Sequence, residues 1–313
     1  MYLVPLIRYG DFFRSSNSPS PPPPPPPSFA LAQTTVLFSE PVSKLPECLP
    51  SVDEIESSPH VPELLIGRCV VRVREHFAVK YGWGVKPIEG ENMIFARQHL
   101  KSLVPRVFAI YQKAEPSSSP MTYIVMEYVH GRPLDEAWGT MCEPERLKVV
   151  NTLRNAFQLL RSLPPRDYFG SLGMTILNDD FFCVEEITRG PFKTEDELVR
   201  GLVEQYRNNI GDIFRHKADY YLRVLPQVLR GNGQLVFTHG DLQRKNIMIG
   251  SGGEIAIIDW APSGWYPTYW EYAVAMMCCG RWKDDWHCYI AKMQDEFPDQ
   301  YAWLHLLRIE MWG

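Results

Sequence analysis

Three polar residues stand together in a short loop, in the sequence HGDLQRKN from 239 to 246. They are His239, Asp241 and Asn246, and a later apolar run ends on Asp259. A carboxylate can accept the proton of a hydroxyl group, while carboxylate and amide oxygens are the hard ligands that Mg²⁺ prefers. The pattern indicates phosphoryl transfer, with Asp241 as the base and Asn246 and Asp259 as metal ligands. His239 stands beside Asp241 among the candidate catalytic residues, and we expect it to support the loop more than to exchange protons.

Two short apolar runs, 247–249 and 255–258, are separated by a stretch that contains three glycines. This pattern predicts a β-hairpin, which would bring Asp259 back towards Asn246. The alternative is a capped turn in which Asp241 bonds only to backbone amides. The offset of Asn246 and the apolar run ending in Asp259 favour the catalytic interpretation.

The loop HGDLQRKN and the following IIDW at 257–260 resemble the aminoglycoside phosphotransferase family of kinase-like enzymes. The later run at 264–272, GWYPTYWEY, is most similar to the fungal branch of that family. The resemblance extends from about residue 61 to about residue 303. It implies an α+β, protein-kinase-like bilobal fold and transfer of the ATP γ-phosphate, with Mg²⁺, to a small-molecule hydroxyl. The acceptor itself cannot be inferred from the family, since function depends on the site more than on the fold.

The runs at 69–73 and 77–81 are rich in Val and Phe and predict a hairpin with Lys80 near its end. An amphipathic stretch that predicts a helix follows. A lone strand lysine can also be a solvated edge residue. In kinase-like enzymes, however, such a lysine holds the phosphates and a helix glutamate orients it. The resemblance implies Lys80 for the first role and Glu91 for the second, with Glu89 as the alternative.

The segment 126–131, MEYVHG, resembles the hinge between the lobes, where the backbone from Glu127 to Val129 would bind adenine. An ordinary strand end is the alternative. Protein kinases cover the phosphates with a glycine-rich loop. The hairpin turn at 74–76 contains no glycine, so the sequence leaves the phosphate contact on that side unassigned.

Composition and charge exclude several classes of function. The formal net charge is −5 and the pI is about 5.9, which gives no basic footprint for nucleic acid or for a membrane surface. The seven cysteines form no C-x-x-C pair, so free thiols in a reducing compartment are expected. Neither a secretory signal nor a membrane-spanning run is evident, and we expect a soluble, cytoplasmic protein.

The predicted organisation has three parts. Residues 1–58 are expected to be poorly ordered, apart from a short helix that begins near 51–54 and docks on the domain. The proline run 21–27 predicts polyproline II, either an inert tether or a weak contact for an SH3- or WW-type partner. Residues 59–130 are assigned to a small lobe and residues 131–313 to a mostly helical large lobe.

An aromatic run at 260–272 follows the predicted metal aspartate. Some of these rings must belong to the core, and others could line an acceptor pocket. In the kinase-like fold, Glu271 aligns with an acidic residue that braces the catalytic loop. Substrate contact is the alternative.

Two other functions compete with the small-molecule kinase. A protein kinase is disfavoured because Gly240 replaces the arginine expected between His and Asp, and Trp260 replaces the phenylalanine after the metal aspartate. A nucleotide-binding pseudokinase or scaffold without turnover is disfavoured by the intact set of Asp241, Asn246 and Asp259.

Overall fold

The structure is a computed structural model that describes residues 34–59, 67–115, 119–183, 186–211, 215–279, 282 and 284–312. These residues form a small lobe built on a sheet and a larger, mostly helical lobe. The strands are β1 (Thr34–Ser39), β2 (Cys69–Val73), β3 (Phe77–Gly82), β4 (Val107–Lys113), β5 (Met121–Glu127), β6 (Arg132–Pro133), β7 (Leu235–Thr238), β8 (Ile247–Ile249), β9 (Ile255–Ile257) and β10 (Gly264–Pro267). The helices are α1 (Val52–Ser57), α2 (Pro87–Leu100), α3 (Leu134–Trp138), α4 (Glu143–Arg161), α5 (Glu195–Ile210), α6 (Arg215–Val228), α7 (Trp270–Met277), α8 (Trp286–Met293) and α9 (Pro298–Trp312).

The small lobe is a five-stranded antiparallel sheet with the order β1-β4-β5-β3-β2. Alternate side chains point to opposite faces of such a sheet. One face packs on α2, where Met93 and Ala96 meet Ile110 and Ile124. The other face forms a separate apolar cluster under Ile55 of α1. The predicted sheet-plus-helix lobe is therefore confirmed.

The expectation that residues 1–58 are poorly ordered does not hold for the described part of that segment. Strand β1 pairs antiparallel with β4 at the edge of the sheet. The predicted short helix is present as α1, with the Ser51 hydroxyl accepting a hydrogen bond from the backbone of Glu54 at 3.2 Å. Arg74 of the β2–β3 turn forms an ion pair with Glu54 of α1, with its Nη2 2.5 Å from Glu54 Oε2, and so holds this segment against the sheet. The proline run 21–27 lies outside the described residues.

The large lobe is organised around the amphipathic helix α4. Its stripe Val150, Leu153, Phe157 and Leu160 is buried, as its spacing predicts. Helix α5 begins after the N-cap residue Thr194, whose hydroxyl accepts a hydrogen bond from the backbone N–H of Glu197. A second apolar cluster joins α5, α6, α7 and α9. These helices support two short sheets, β10-β7 and β6-β8-β9, which carry residues 239–246, the candidate catalytic loop.

The aromatic run after Asp259 belongs to the core. The prediction that some of its rings line an acceptor pocket is wrong for the six aromatic residues concerned, because each is at most 2 % exposed. They pack against each other and the surrounding helices, and they are Trp260, Trp265, Tyr266, Tyr269, Trp270 and Tyr272. Within the described chain, no helix is long and apolar enough to cross a membrane.

Candidate active site

The catalytic loop joins β7 to β8 and places Asp241 beside Asn246. The Asn246 side-chain amide donates to Asp241 twice, to Oδ2 at 2.8 Å and to the backbone oxygen at 2.9 Å. The Gln243 amide donates to the other carboxylate oxygen of Asp241. Two fixed donors therefore orient one half-buried carboxylate, as a base that must face a hydroxyl group requires.

His239 is fully buried below this loop, and both of its ring nitrogens are engaged. Nδ1 accepts a hydrogen bond from the backbone N–H of Asp241 at 3.2 Å, and Nε2 lies 3.1 Å from the carbonyl oxygen of Ile258. An acceptor role for Nδ1 leaves the proton on Nε2, which donates to that carbonyl. Both ring nitrogens of His239 are thus occupied by backbone groups, as expected for a residue that supports the loop, and this geometry does not support its place among the candidate catalytic residues.

Glu271 at the start of α7 braces the loop from beneath, as the resemblance implied. Its Oε2 accepts the backbone N–H groups of His239 at 2.6 Å and of Gly240 at 3.3 Å. Burial raises the pKa of Glu271, although the two backbone hydrogen bonds act in the opposite direction. The carboxylate is 2 % exposed, so a direct contact with substrate is unsupported.

Asp259 follows β9 and returns to the catalytic loop, as the predicted hairpin requires. The backbone N–H of Ile258 donates to the carbonyl oxygen of Asn246 at 2.9 Å, which places the two candidate metal ligands next to each other. Asp259 has a φ of 63°, a conformation that costs a non-glycine residue on the order of 1 kcal/mol or more. Asn92 of α2 holds the following chain by donating to the Trp260 carbonyl at 2.9 Å.

Lys80 on β3 joins the two lobes. Its Nζ lies 2.7 Å from Glu89 Oε1 and 2.8 Å from Asp259 Oδ1. The register of the sheet sets this position, since Lys80 pairs with Ile124 of β5 and Val70 of β2 in the middle of the sheet. The interpretation of Lys80 as a solvated edge lysine is therefore excluded.

The prediction that Glu91 orients Lys80 is wrong, and the alternative, Glu89, is correct in geometry. Successive residues of a helix are rotated by about 100°, so two positions two residues apart face different sides. Glu89 lies on the buried face of α2 at 2 % exposure, whereas Glu91 is exposed. The orientation of the whole helix on the sheet decides between them.

The charges of Lys80, Glu89 and Asp259 influence each other strongly. Burial by itself lowers the pKa of Lys80, but the carboxylates of Glu89 and Asp259 raise it overall. Burial also raises the pKa of Glu89, which works against an ion pair. Because Lys80 has two carboxylates within 2.8 Å, we take the ammonium and both carboxylates as charged. Burial opposes ionisation of Asp259 too, but Lys80 lowers the pKa of Asp259 below its ordinary value.

The predicted hinge follows β5. The Glu127 side chain points away from the cleft towards the backbone N–H of Arg106, at 3.0 Å, so only its backbone could serve a nucleotide. Val129 is half-buried in the connection to the large lobe. The Tyr128 N–H donates to the carbonyl oxygen of His76 at 2.9 Å.

This last contact corrects our interpretation of the β2–β3 turn. The turn at 74–76 lies at the hinge end of the sheet and cannot cover the phosphates near Lys80. It is the N-terminal end of β2 that lies beside Lys80, where Cys69 pairs with Tyr81. The absence of glycine from the turn therefore has no bearing on phosphate binding.

Sequence reasoning missed three contacts of this site. Gln243 stands within the catalytic loop, but its role depends on the loop's conformation. Cys278 lies 4.0 Å from Asp241 through its sulfur, and burial raises the pKa of its thiol to about 12, so it stays protonated. Asn92 has no local signal, because its partners come about 170 residues later.

The profile of the family described as phosphotransferase enzyme family (APH) matches residues 86–305, which is more than half of the chain.

The chain belongs to the phosphotransferase enzyme family. A search of curated protein sequences gave no match. Among solved structures, the GDP complex of aminoglycoside 2'-phosphotransferase-IIIa is 13% identical with a TM-score of 0.51, and the match covers 82% of this chain and 82% of that one. The apo form of a thermostable mutant of aminoglycoside phosphotransferase APH(4)-Ia is 13% identical with a TM-score of 0.50, covering 80% of this chain and 86% of that one. Choline kinase LicA from Streptococcus pneumoniae is 12% identical with a TM-score of 0.45, covering 80% of this chain and 81% of that one.

At these identities, the structural neighbours show the fold of the phosphotransferase and nothing finer. The fold is the kinase-like one, with an antiparallel sheet in the small lobe and helices in the large lobe. The family match begins at residue 86, so Lys80 lies outside it. The assignment of Lys80 therefore rests on the ion pairs with Glu89 and Asp259.

The donor set of this phosphotransferase fits Mg²⁺. Because Asn246 turns its amide nitrogen to Asp241, its Oδ1 faces away, and within the described chain that oxygen accepts no hydrogen bond. Only one oxygen of Asp259 contacts Lys80. The amide oxygen of Asn246 and the second carboxylate oxygen of Asp259 therefore remain as hard ligands for the metal. Lys80 lies beside Asp259 and could bind phosphate.

Proposed function

We propose that this phosphotransferase moves the γ-phosphoryl group of ATP, in the presence of Mg²⁺, to a hydroxyl group of a small molecule. The observation that carries the proposal is the position of Lys80, which contacts the buried Glu89 and the candidate metal ligand Asp259 at once. A structural ion pair would need only one carboxylate. A lysine shared between two carboxylates can release one of them when a phosphate arrives.

In this proposal Asp241 faces the acceptor. The hydroxyl oxygen attacks the γ-phosphorus, the bond to the β–γ bridging oxygen breaks, and ADP leaves. The hydroxyl proton passes to Asp241, which Asn246 and Gln243 hold in place. Lys80 stabilises the charge of the phosphates, and Asn246 and Asp259 would hold Mg²⁺, which neutralises charge on the phosphate oxygens.

The rest of the site supports positioning rather than covalent chemistry. Glu271 and His239 fix the loop from below, and neither has a free path to substrate. The backbone of Glu127 and Val129 is proposed to bind the nucleotide base. Phosphoryl transfer depends mainly on such positioning and on charge stabilisation.

The acceptor is proposed to be a small molecule because the chain belongs to a phosphotransferase family and two of its structural neighbours are named as aminoglycoside phosphotransferases. One neighbour was solved with GDP, so GTP must be tested beside ATP as the donor. The fungal branch and the cytoplasmic location remain predictions. The weak contact of an SH3- or WW-type partner with the proline run 21–27 also remains a prediction.

The test is ADP or GDP release across a panel of amino sugars, choline-like amines, amino alcohols and nucleosides, with and without Mg²⁺. Asp241→Asn keeps the shape of the base and removes its charge, and Asp299→Asn serves as the control because that carboxylate is exposed. Turnover on one acceptor class that is lost in Asp241→Asn and kept in Asp299→Asn is the expected result. Nucleotide binding without turnover on any acceptor would favour a pseudokinase. Phosphorylation of Ser or Thr in proteins would favour a protein kinase.

A further inference from the structure

Arg68 lies at the end of the small-lobe sheet where the phosphates of a nucleotide would sit. Val70 of β2 pairs directly with Lys80 of β3, so these two side chains point to the same face of the sheet. Arg68 precedes Val70 by two residues and therefore points to that face as well. The alternate positions, Val71 and Val73, lie in the apolar cluster under α1. Arg68 is thus on the side of the sheet that faces the cleft.

The backbone around Arg68 is pressed against the end of β3. Gly82 has a φ of 143°, and a side chain there would overlap the carbonyl oxygen of Gly67. The backbone N–H of Gly84 donates to that same oxygen at 2.9 Å. These contacts fix the position of the Arg68 backbone next to the strand that carries Lys80.

The side chain of Arg68 is held in place by one hydrogen bond, and within the described residues no carboxylate forms an ion pair with it. Its Nε donates to the carbonyl oxygen of Gly84 at 3.1 Å. Within the described chain, its two terminal nitrogens meet no hydrogen-bond acceptor, and no carboxylate lies within 4.0 Å of them. A guanidinium held through one nitrogen presents its remaining N–H groups as a fork, which suits phosphate oxygens.

The charge of Arg68 is felt in the active site. Burial is the largest influence on the pKa of Glu89 and of Asp259 and raises both, but the charges of Lys80 and Arg68 lower them. The register of the sheet places Arg68 on the face that carries Lys80, and Arg68 forms no ion pair with Glu89 or Asp259. Lys80 is shared between the same two carboxylates, so a second side-chain cation on this face of the sheet would add to the attraction for a triphosphate.

We propose that Arg68 binds the terminal phosphates of the nucleotide and supplies from a side chain the contact that a glycine-rich loop makes with backbone amides. The proposal rests on the proposed function, because it names a further contact of the same nucleotide. It assigns Arg68 to binding and orientation of the donor, with no part in proton transfer.

The experiment compares the binding of Mg-ATP, Mg-ADP and adenosine by titration calorimetry in three proteins: wild type, Arg68→Met and Arg72→Met. Arg72 of β2 is the matched control. It points to the same face as Arg68, but it lies at the hinge end, with its guanidinium 4.2 Å from the centroid of the Tyr128 ring. Arg68→Met should weaken Mg-ATP about 10- to 100-fold, as expected for a charge-assisted contact, and adenosine less than about twofold. Arg68→Lys should recover part of the loss. Arg72→Met should leave the ratio of ATP to adenosine affinity unchanged.

The outcomes separate this proposal from the proposed function. If wild type binds none of the three ligands, the proposed function fails and this proposal with it. If wild type binds Mg-ATP and Arg68→Met keeps the same ratio of ATP to adenosine affinity, only this proposal is overturned. Thermal unfolding of each variant shows whether it is folded. A misfolded variant would lose adenosine binding as well, so a loss confined to Mg-ATP is an effect on phosphate binding.

Discussion

The pair Glu89 and Glu91 offers a sharp test of how Lys80 is positioned. Glu89→Gln keeps the shape of the side chain but removes the charge that lies 2.7 Å from Lys80 Nζ. A hydrogen bond to a charged group contributes about 1.5–3 kcal/mol, which corresponds to roughly a 10- to 150-fold change in kcat/KM for the nucleotide. The upper part of this range applies, because Lys80 would then be held only by Asp259, the proposed metal ligand.

The assay is the steady-state rate with varied Mg-ATP and a saturating acceptor, or the Kd of Mg-ATP where no acceptor has been found. Glu91→Gln is the matched control, because it makes the same chemical change two residues away on the exposed side of α2. It should change kcat/KM less than about twofold, as surface substitutions usually do little. The reasoning is refuted if Glu91→Gln is the damaging change or if both variants keep wild-type rates.

Two further predictions concern stability. Burial raises the pKa of Asp179 to about 7, so its ionisation costs the folded state up to about 4 kcal/mol as the pH rises from about 4 through 7. The Tm difference between Asp179→Asn and wild type should therefore grow in favour of the variant between pH 5 and pH 8, with the exposed Asp180→Asn as control; parallel curves would contradict this. Ile55→Ala should lower the free energy of unfolding by about 2–5 kcal/mol in urea titrations, since Ile55 is 0 % exposed, whereas Val42→Ala at 84 % exposure should change it little. A neutral Ile55→Ala would mean that α1 is not part of the small-lobe core.

The parts of the site that local sequence determines were predictable. The loop 239–246 and the hairpin that returns to Asp259 are encoded within about 20 residues, with apolar runs and glycines that mark the strands and the turn. The starts of α4 and α5 follow from Pro144 and Thr194 in the same way. In each case the residues that define the element are neighbours in the chain.

Glu91 was preferred to Glu89 as the partner of Lys80, although the sequence contained a signal that favours Glu89. Glu89, Met93, Ala96 and Leu100 are spaced by four, three and four residues and form one face of α2, all of it buried. Glu91 lies off that face. The preference for Glu91 came from the family resemblance and ignored this periodicity, which places Glu89 among the residues that pack on the sheet.

Other features depend on partners that are distant in the chain. Strand β1 was missed because most of its residues are exposed and its partner β4 begins about 70 residues later. The turn at 74–76 was assigned to the wrong end of the sheet, since the direction of β2 relative to the hinge follows only from its pairing. The aromatic run was split between core and pocket, because composition alone does not show which rings other elements cover.

The most direct test of the central claim is Mg²⁺-dependent nucleotide binding, because it does not require the acceptor to be known. Titration calorimetry would compare Mg-ATP with ATP in EDTA, in wild type and in Asp259→Asn. The account predicts one site in wild type, with affinity reduced at least about tenfold by metal removal or by Asp259→Asn. No binding in wild type, or binding that is indifferent to both changes, would contradict the assignment of Asp259 and Asn246 to the metal and of Lys80 to the phosphates.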